Sequence, residues 1–146
     1  LIQYGIGISL VLLVLTGSFL YLITLSMKPY QDARLEGEKL AKQYAELEQA
    51  DQVDFYNGLE GYYSVLGHNK KQEAIAVLIE KNDHKIYVYQ LDKGISQDKA
   101  ATISREKGAS DIDKITFGRY QDKPIWEVKS GNQYYLVDFE TGVVIQ

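Results

Sequence analysis

From Leu1 to Met27 the chain reads LIQYGIGISLVLLVLTGSFLYLITLSM, without one Asp, Glu, Lys, Arg or His. No other stretch limits the fold so strongly. Coiled into an α-helix at about 1.5 Å per residue it would reach roughly 40 Å, more than the hydrocarbon core of a bilayer, which is about 30 Å thick. A buried core helix rarely stays uncharged for this long, and the apolar region of a cleavable signal peptide covers only about 7–15 residues. Residues 1–27 are therefore expected to be a retained transmembrane helix. Thr24 and Ser26 make a poor small-x-small cleavage pattern before Lys28. The chain opens on Leu1 rather than Met, which suggests a preceding segment, and the Lys/Arg asymmetry that sets orientation cannot be counted.

Pro29 comes next, within "KPYQD". Proline lacks an amide donor and pushes the residue before it away from helical geometry, so the membrane helix is expected to stop at a linker over residues 28–32. Five extended residues span at most roughly 18 Å, which would hold the C-terminal remainder close to the bilayer and raise its effective concentration toward neighbours there. The whole chain is 45% apolar and 25% charged, a composition of folded protein. It has no cysteine, so no disulfide framework is expected and no lipidated cysteine follows the "VLTGS" stretch. Neither half of the remainder has a basic excess, so the stripe that phosphate-backbone binding requires is missing.

Ala33, Gly37, Leu40, Ala41, Tyr44 and Leu47 recur at helical spacing, with Glu36, Glu38, Lys39 and Lys42 on the other side. After Asp51 the period drops to two. Val53 and Phe55, then Tyr63 and Val65, alternate with their neighbours across an Asn57-Gly58 turn. Ile75, Val77 and Ile79 share a face, and "HKIYVYQ" is expected to pair back across a two-residue Asn82-Asp83 loop. Then the pattern restarts. Ser96 is placed to cap a second helix, Ile95 and Ala100 occupy the staple positions, and Gly108 can end the helix in left-handed geometry. Strands are expected around Ile115 and Phe117, over 125–130, over 133–139 beyond a Gly131-Asn132 turn, and over 143–145 after Gly142 reverses the chain. The reading is an α+β protein: a transmembrane helix, then two units over 33–94 and 95–146, each a helix packed on an antiparallel sheet. Units of about 50–60 residues bury only about 60% of their unfolded surface, so the two should pack together.

The stretch from Ile95 to Ile145, with its Trp126-Glu127-Val128 hairpin and a strand ending in Phe139 before Thr141-Gly142, resembles a PepSY-type (cystatin-like) domain. The anchor followed by two such units is similar to the YpmB/TseB-like proteins of Gram-positive bacteria. That resemblance implies an outward-facing, single-pass cell-membrane protein that regulates cell-wall elongation by association with a penicillin-binding transpeptidase of class B. It transfers no catalytic residue and no cofactor.

The residues themselves offer little chemistry. His68 and His84 fall in expected loops, with none of the convergent ligands a metal needs. Ser96-x-x-Lys99 and Ser104-x-x-Lys107 spell the Ser-x-x-Lys string of penicillin-binding enzymes, but the accompanying Ser-Asp-Asn and Lys-Thr-Gly strings are missing. Glu36/Glu38 point in different directions on a helix, and Asp111/Asp113 suit a turn better than a glycosidase pair. Gly5 and Ser9 are small residues of the kind that let membrane helices pack closely, although glycine is common in such helices in any case. Twelve tyrosines are the unusual count. Alternation sets Tyr62, Tyr87, Tyr89 and Tyr134 opposite the faces of their apolar neighbours, which makes them either a partner-binding surface or packing between the units. The leading expectation is a non-enzymatic binding and regulatory protein. The alternatives are a PepSY-type inhibitor of a secreted or membrane peptidase, acting through an edge strand, and a small wall hydrolase using dispersed carboxylates.

Overall fold

The computed structural model describes residues 2–145. The chain is α+β, with α1 (Ile2–Tyr44), β1 (Leu47–Asn57), β2 (Gly61–Asn69), β3 (Ala74–Glu80), β4 (Ile86–Gln90), α2 (Gln97–Glu106), β5 (Lys114–Tyr120), β6 (Lys123–Ser130) and β7 (Gln133–Asp138). Its contacts divide it into Leu1–Leu35 and Glu36–Gln146. In the first unit the apolar side chains from Tyr4 through Met27 are exposed around the helix, which is long and apolar enough to cross a membrane.

The linker expected over 28–32 is not a break: α1 runs through Pro29 for 43 residues. A proline forfeits one amide and one helical bond, a local cost of about 3 kcal/mol. The flanking run of Ala, Leu, Glu, Lys and Gln favours helix on the C-terminal side and outweighs that single defect. The helix ends at Tyr44, where Glu46 takes φ 55°, and Leu47 already belongs to β1 rather than to the helical stripe.

In the second unit, β1-β2-β3-β4 form one antiparallel sheet and β5-β6-β7 another. The first sheet has two buried faces. On one, Val53, Val65, Ile75, Val77 and Ile79 pack beneath Leu40, Ala41 and Ala45 of α1. Tyr44, expected on that stripe, is exposed instead, because the contact follows the small residues Gly37, Ala41 and Ala45. On the other face, Tyr56, Tyr62, Leu66 and Leu78 share one core with Phe117, Trp126 and Val137 of the second sheet and with Phe139 just beyond β7. The two sheets therefore pack together through a continuous core, and β5 is the strand through which they meet.

α2 begins as its sequence signals direct. The Ser96 hydroxyl accepts from the Lys99 amide, and Gly108 takes φ 109° just beyond the helix. Gly142 likewise adopts φ 73° at the last reversal. The strand expected over 143–145 does not form in full, however: Val143–Ile145 contributes one isolated bridge, Val144 to Val137. So short a segment has room for little more than the two bonds from the Asp138 amide to the Val143 carbonyl and from the Ile145 amide to the Leu136 carbonyl. The β3–β4 loop also differs from expectation. The positive φ sits on His84, not on Asn82 or Asp83, because Glu80 bonds to Lys85 and a four-residue loop spans between them. His68 lies in β2 rather than in a loop, and its Nδ1 is 2.8 Å from Asp51 Oδ2.

Candidate functional site

Trp126 and Phe117 face each other across β5 and β6 and point into the core, so alternation turns Thr116 and Glu127 to the opposite face. Lys114 pairs with Lys129 next along this face, and Tyr134 of β7 continues the row beyond Lys129. The end of β1 walls the other side with Phe55 and Asn57, and a groove of about 480 Å³ lies between. Its polar groups are unevenly partnered. Lys114 Nζ is 2.9 Å from Asp54 Oδ1, and the Asn57 side-chain oxygen accepts from Lys81 Nζ at 3.3 Å. Lys129 has neither an ion pair nor a hydrogen bond to its side chain among the described residues. Burial pushes the Glu127 carboxyl above its ordinary pKa, with Lys114 pulling the other way.

A second cluster forms where the β1–β2 and β5–β6 hairpin tips meet. The Arg119 guanidinium lies 4.1 Å from the centre of the Tyr87 ring, and its Nη1 is 2.8 Å from Asp122 Oδ1. Burial works against its charge. The Tyr62 and Tyr89 hydroxyls more than offset that by hydrogen bonding and hold the group even above its usual high pKa. The Tyr62 hydroxyl in turn donates to Glu60 in a short contact. Arg119 Nε is buried without a partner among the described residues.

The four tyrosines marked from the sequence thus separate. Tyr62 is 1% exposed and belongs to the core, which removes it from any partner surface: its ring is stacked 6.3 Å from Tyr56, because that face of the first sheet is covered by the second. Tyr87 and Tyr89 are half-buried, one under Arg119 and the other 5.6 Å from the Phe117 ring. Only Tyr134, 51% exposed, lines the groove. The groove's Lys114, Thr116, Glu127 and Lys129 went unread in the sequence, although the inward Trp126 already dictated a polar face on its neighbours. The Ser-x-x-Lys serines are structural. Ser96 caps α2, and buried Ser104 donates to the Ala100 carbonyl at 2.9 Å. Asp113 accepts from the Gly131 amide at 2.8 Å, as a turn aspartate does. Among the described residues no cluster of three His, Cys, Asp or Glu is placed to hold a metal.

Fold and groove define an α+β protein with an apolar leading helix, two antiparallel sheets and a polar recess on the second. Residues 36–80 match the model of the cell wall elongation regulator TseB-like domain. The probable cell wall elongation regulator TseB of Bacillus subtilis (strain 168) is 34% identical, over 88% of each chain. The chain belongs to this TseB/YpmB-like family of regulators. The solved structure of the YpmB protein from Bacillus subtilis superposes with a TM-score of 0.64 at 33% identity, covering 76% of this chain and 92% of that one.

Proposed function

We propose that the protein is a non-enzymatic regulator of cell-wall elongation, anchored by residues 1–27 with the remainder outside the cell, and that it works by binding a penicillin-binding transpeptidase. The 34% identity to a probable cell wall elongation regulator, sustained over 88% of both chains, carries this reading. The helix long enough for a membrane supports the anchoring, since a tethered binder acts at high effective concentration on partners in the same bilayer. On this reading residues 33–94 and 95–146 are two tandem PepSY-like units, and the exposed Tyr134 belongs to a binding face rather than to a catalytic one. Regulation by binding requires only that the partner's active and inactive arrangements differ in affinity for this surface. The test is crosslinking in intact membranes followed by mass spectrometry. A class B transpeptidase is the expected catch, and recovery of no wall-synthesis enzyme would sink the proposal.

One observation favours a second reading. β4 forms an edge of the first sheet with Val88 49% exposed, which offers backbone for strand addition by a peptidase. Envelope peptidase activity unchanged by the full-length protein in detergent would remove it.

A further inference from the structure

The groove on the second sheet holds an imbalance that the fold leaves unresolved. Lys114 and Lys129 stand directly opposite each other on β5 and β6, and like charges at such positions repel. Asp54 answers Lys114, yet the half-buried Lys129 has no anionic partner among the described residues. One pleat along the same strand, roughly 7 Å away, the half-buried Glu127 carboxylate has no hydrogen-bond donor among the described residues either. Thr116, opposite Glu127, adds a hydroxyl to the floor, and Tyr134, beside Lys129, adds a half-exposed ring. Lys114 acts on Glu127 only through its field, so a recess of about 480 Å³ presents a cation and a carboxylate, each open to a ligand that brings an anion and a donor at matching separation.

We propose that this groove binds the free C-terminal end of a short peptide, its carboxylate on Lys129 and an upstream backbone amide or amine on Glu127. An extended peptide advances about 3.5 Å per residue, so the terminal carboxylate and the next amides fall within reach of both side chains. Tyr134 would flank the last side chain. A neutral oligosaccharide would leave the Lys129 ammonium unanswered, and a polyanion would meet Glu127, so neither suits the pair as well. The inference does not rest on the transpeptidase reading, because it concerns only the groove between the outer face of β5, β6 and β7 and the end of β1.

The test is nitrogen-15 NMR of the full chain in detergent micelles, titrated separately with tri-alanine, tri-alanine amide and neutral chitotetraose. Saturable shifts confined to the amides around Glu127, Lys129 and Tyr134 are expected with tri-alanine, and at least about tenfold weaker binding with its amide, the loss expected for one charge-assisted bond. Lys129→Gln should weaken tri-alanine about tenfold while leaving the amide form unchanged, Glu127→Gln should weaken both, and Lys93→Gln should alter neither. The spectrum of each variant reports in the same experiment that it is folded. Equal binding of acid and amide, no shift on these strands, or shifts from chitotetraose alone would overturn the proposal. Crosslinking that recovers no transpeptidase would leave these shifts untouched, so the two readings fail separately.

Discussion

The ring of Tyr56 lies directly on Gly118: a Cβ added to Gly118 would stand 2.5 Å from Tyr56 Cδ2 and 2.6 Å from Cγ. Gly118 sits on edge strand β5, and Tyr56 is 1% exposed at the end of β1, so this contact closes the seam between the sheets. Burial also drives the pKa of the Tyr56 hydroxyl up to about 12, with the negative charge of Glu127 adding to the effect. Gly118→Ala should destabilise the protein by about 1–3 kcal/mol, the usual cost of overpacking a core that has no room to give. Thermal melts of the full chain in detergent, followed by circular dichroism, should show a midpoint lower by at least about 3 °C. An unchanged midpoint would mean that Tyr56 is free to move aside.

Trp126 is the one tryptophan of the chain, and its indole N–H donates to the Ile95 carbonyl at 2.9 Å, tying the entrance of α2 to the middle of β6. Its ring meets Phe117 edge-on at 4.9 Å, and Phe117 meets Phe139 in the same way at 5.2 Å. Trp126→Phe removes the donor, leaves the carbonyl unpaired and opens a small void. The expected loss is about 2–4 kcal/mol, seen as a lower urea midpoint at unchanged slope. The parent protein should show blue-shifted tryptophan emission that moves to longer wavelength on unfolding. Emission already at the wavelength of water-exposed indole would contradict a core built around Trp126.

Between β5 and β6 the chain turns on Gln121 and Asp122, with φ 47° and 64°, a left-handed pair that Asn and Gly hold far more easily than Gln. Gln121→Asn relaxes the first position and keeps the Asp122 contact with Arg119. A gain of about 0.5–1 kcal/mol in urea unfolding is expected. A loss would show that the Gln121 side chain makes a contact worth more than the backbone strain.

These cases also mark how far residues alone reach. Ser96, Gly108 and Gly142 were legible because capping and positive φ are local demands, met within a few residues of chain. The strands around Phe55, Val77 and Trp126 were legible from period two. Pro29 misled because a local penalty does not weigh the helix-forming run beyond it. The turns at His84 and Gln121-Asp122 lack the Asn-Gly signature, and their geometry is imposed by strand register. Tyr62 could not be told from a surface tyrosine until the second sheet covered it, and the pairing of Lys114 with Lys129 required that register to be known.

The pH dependence of stability should carry two opposed contributions from the second sheet. Burial would raise the Asp138 carboxyl, but the amides of Thr141 and Glu140, at 2.8 and 2.9 Å, together with the Thr141 hydroxyl, hold it below the usual range. A carboxyl depressed in the folded state contributes stability above its unfolded value, near 3.9, and that contribution is lost as pH falls through the folded value. Asp138→Asn should therefore cost about 1–2 kcal/mol at pH 7, and the gap to the parent should shrink in acid below roughly pH 4. Glu127 has the opposite sign. Its carboxyl is raised by burial, so its charge opposes folding at neutral pH, and the penalty fades as pH falls through its folded value toward the unfolded one near 4.3. Glu127→Gln should stabilise the protein at pH 7 by up to about 1 kcal/mol and leave it unchanged near pH 4. Urea titrations of both variants at the two pH values measure the pair. If Glu127→Gln lowered stability at pH 7, the carboxylate would have an internal partner and would no longer be a group left open for a ligand.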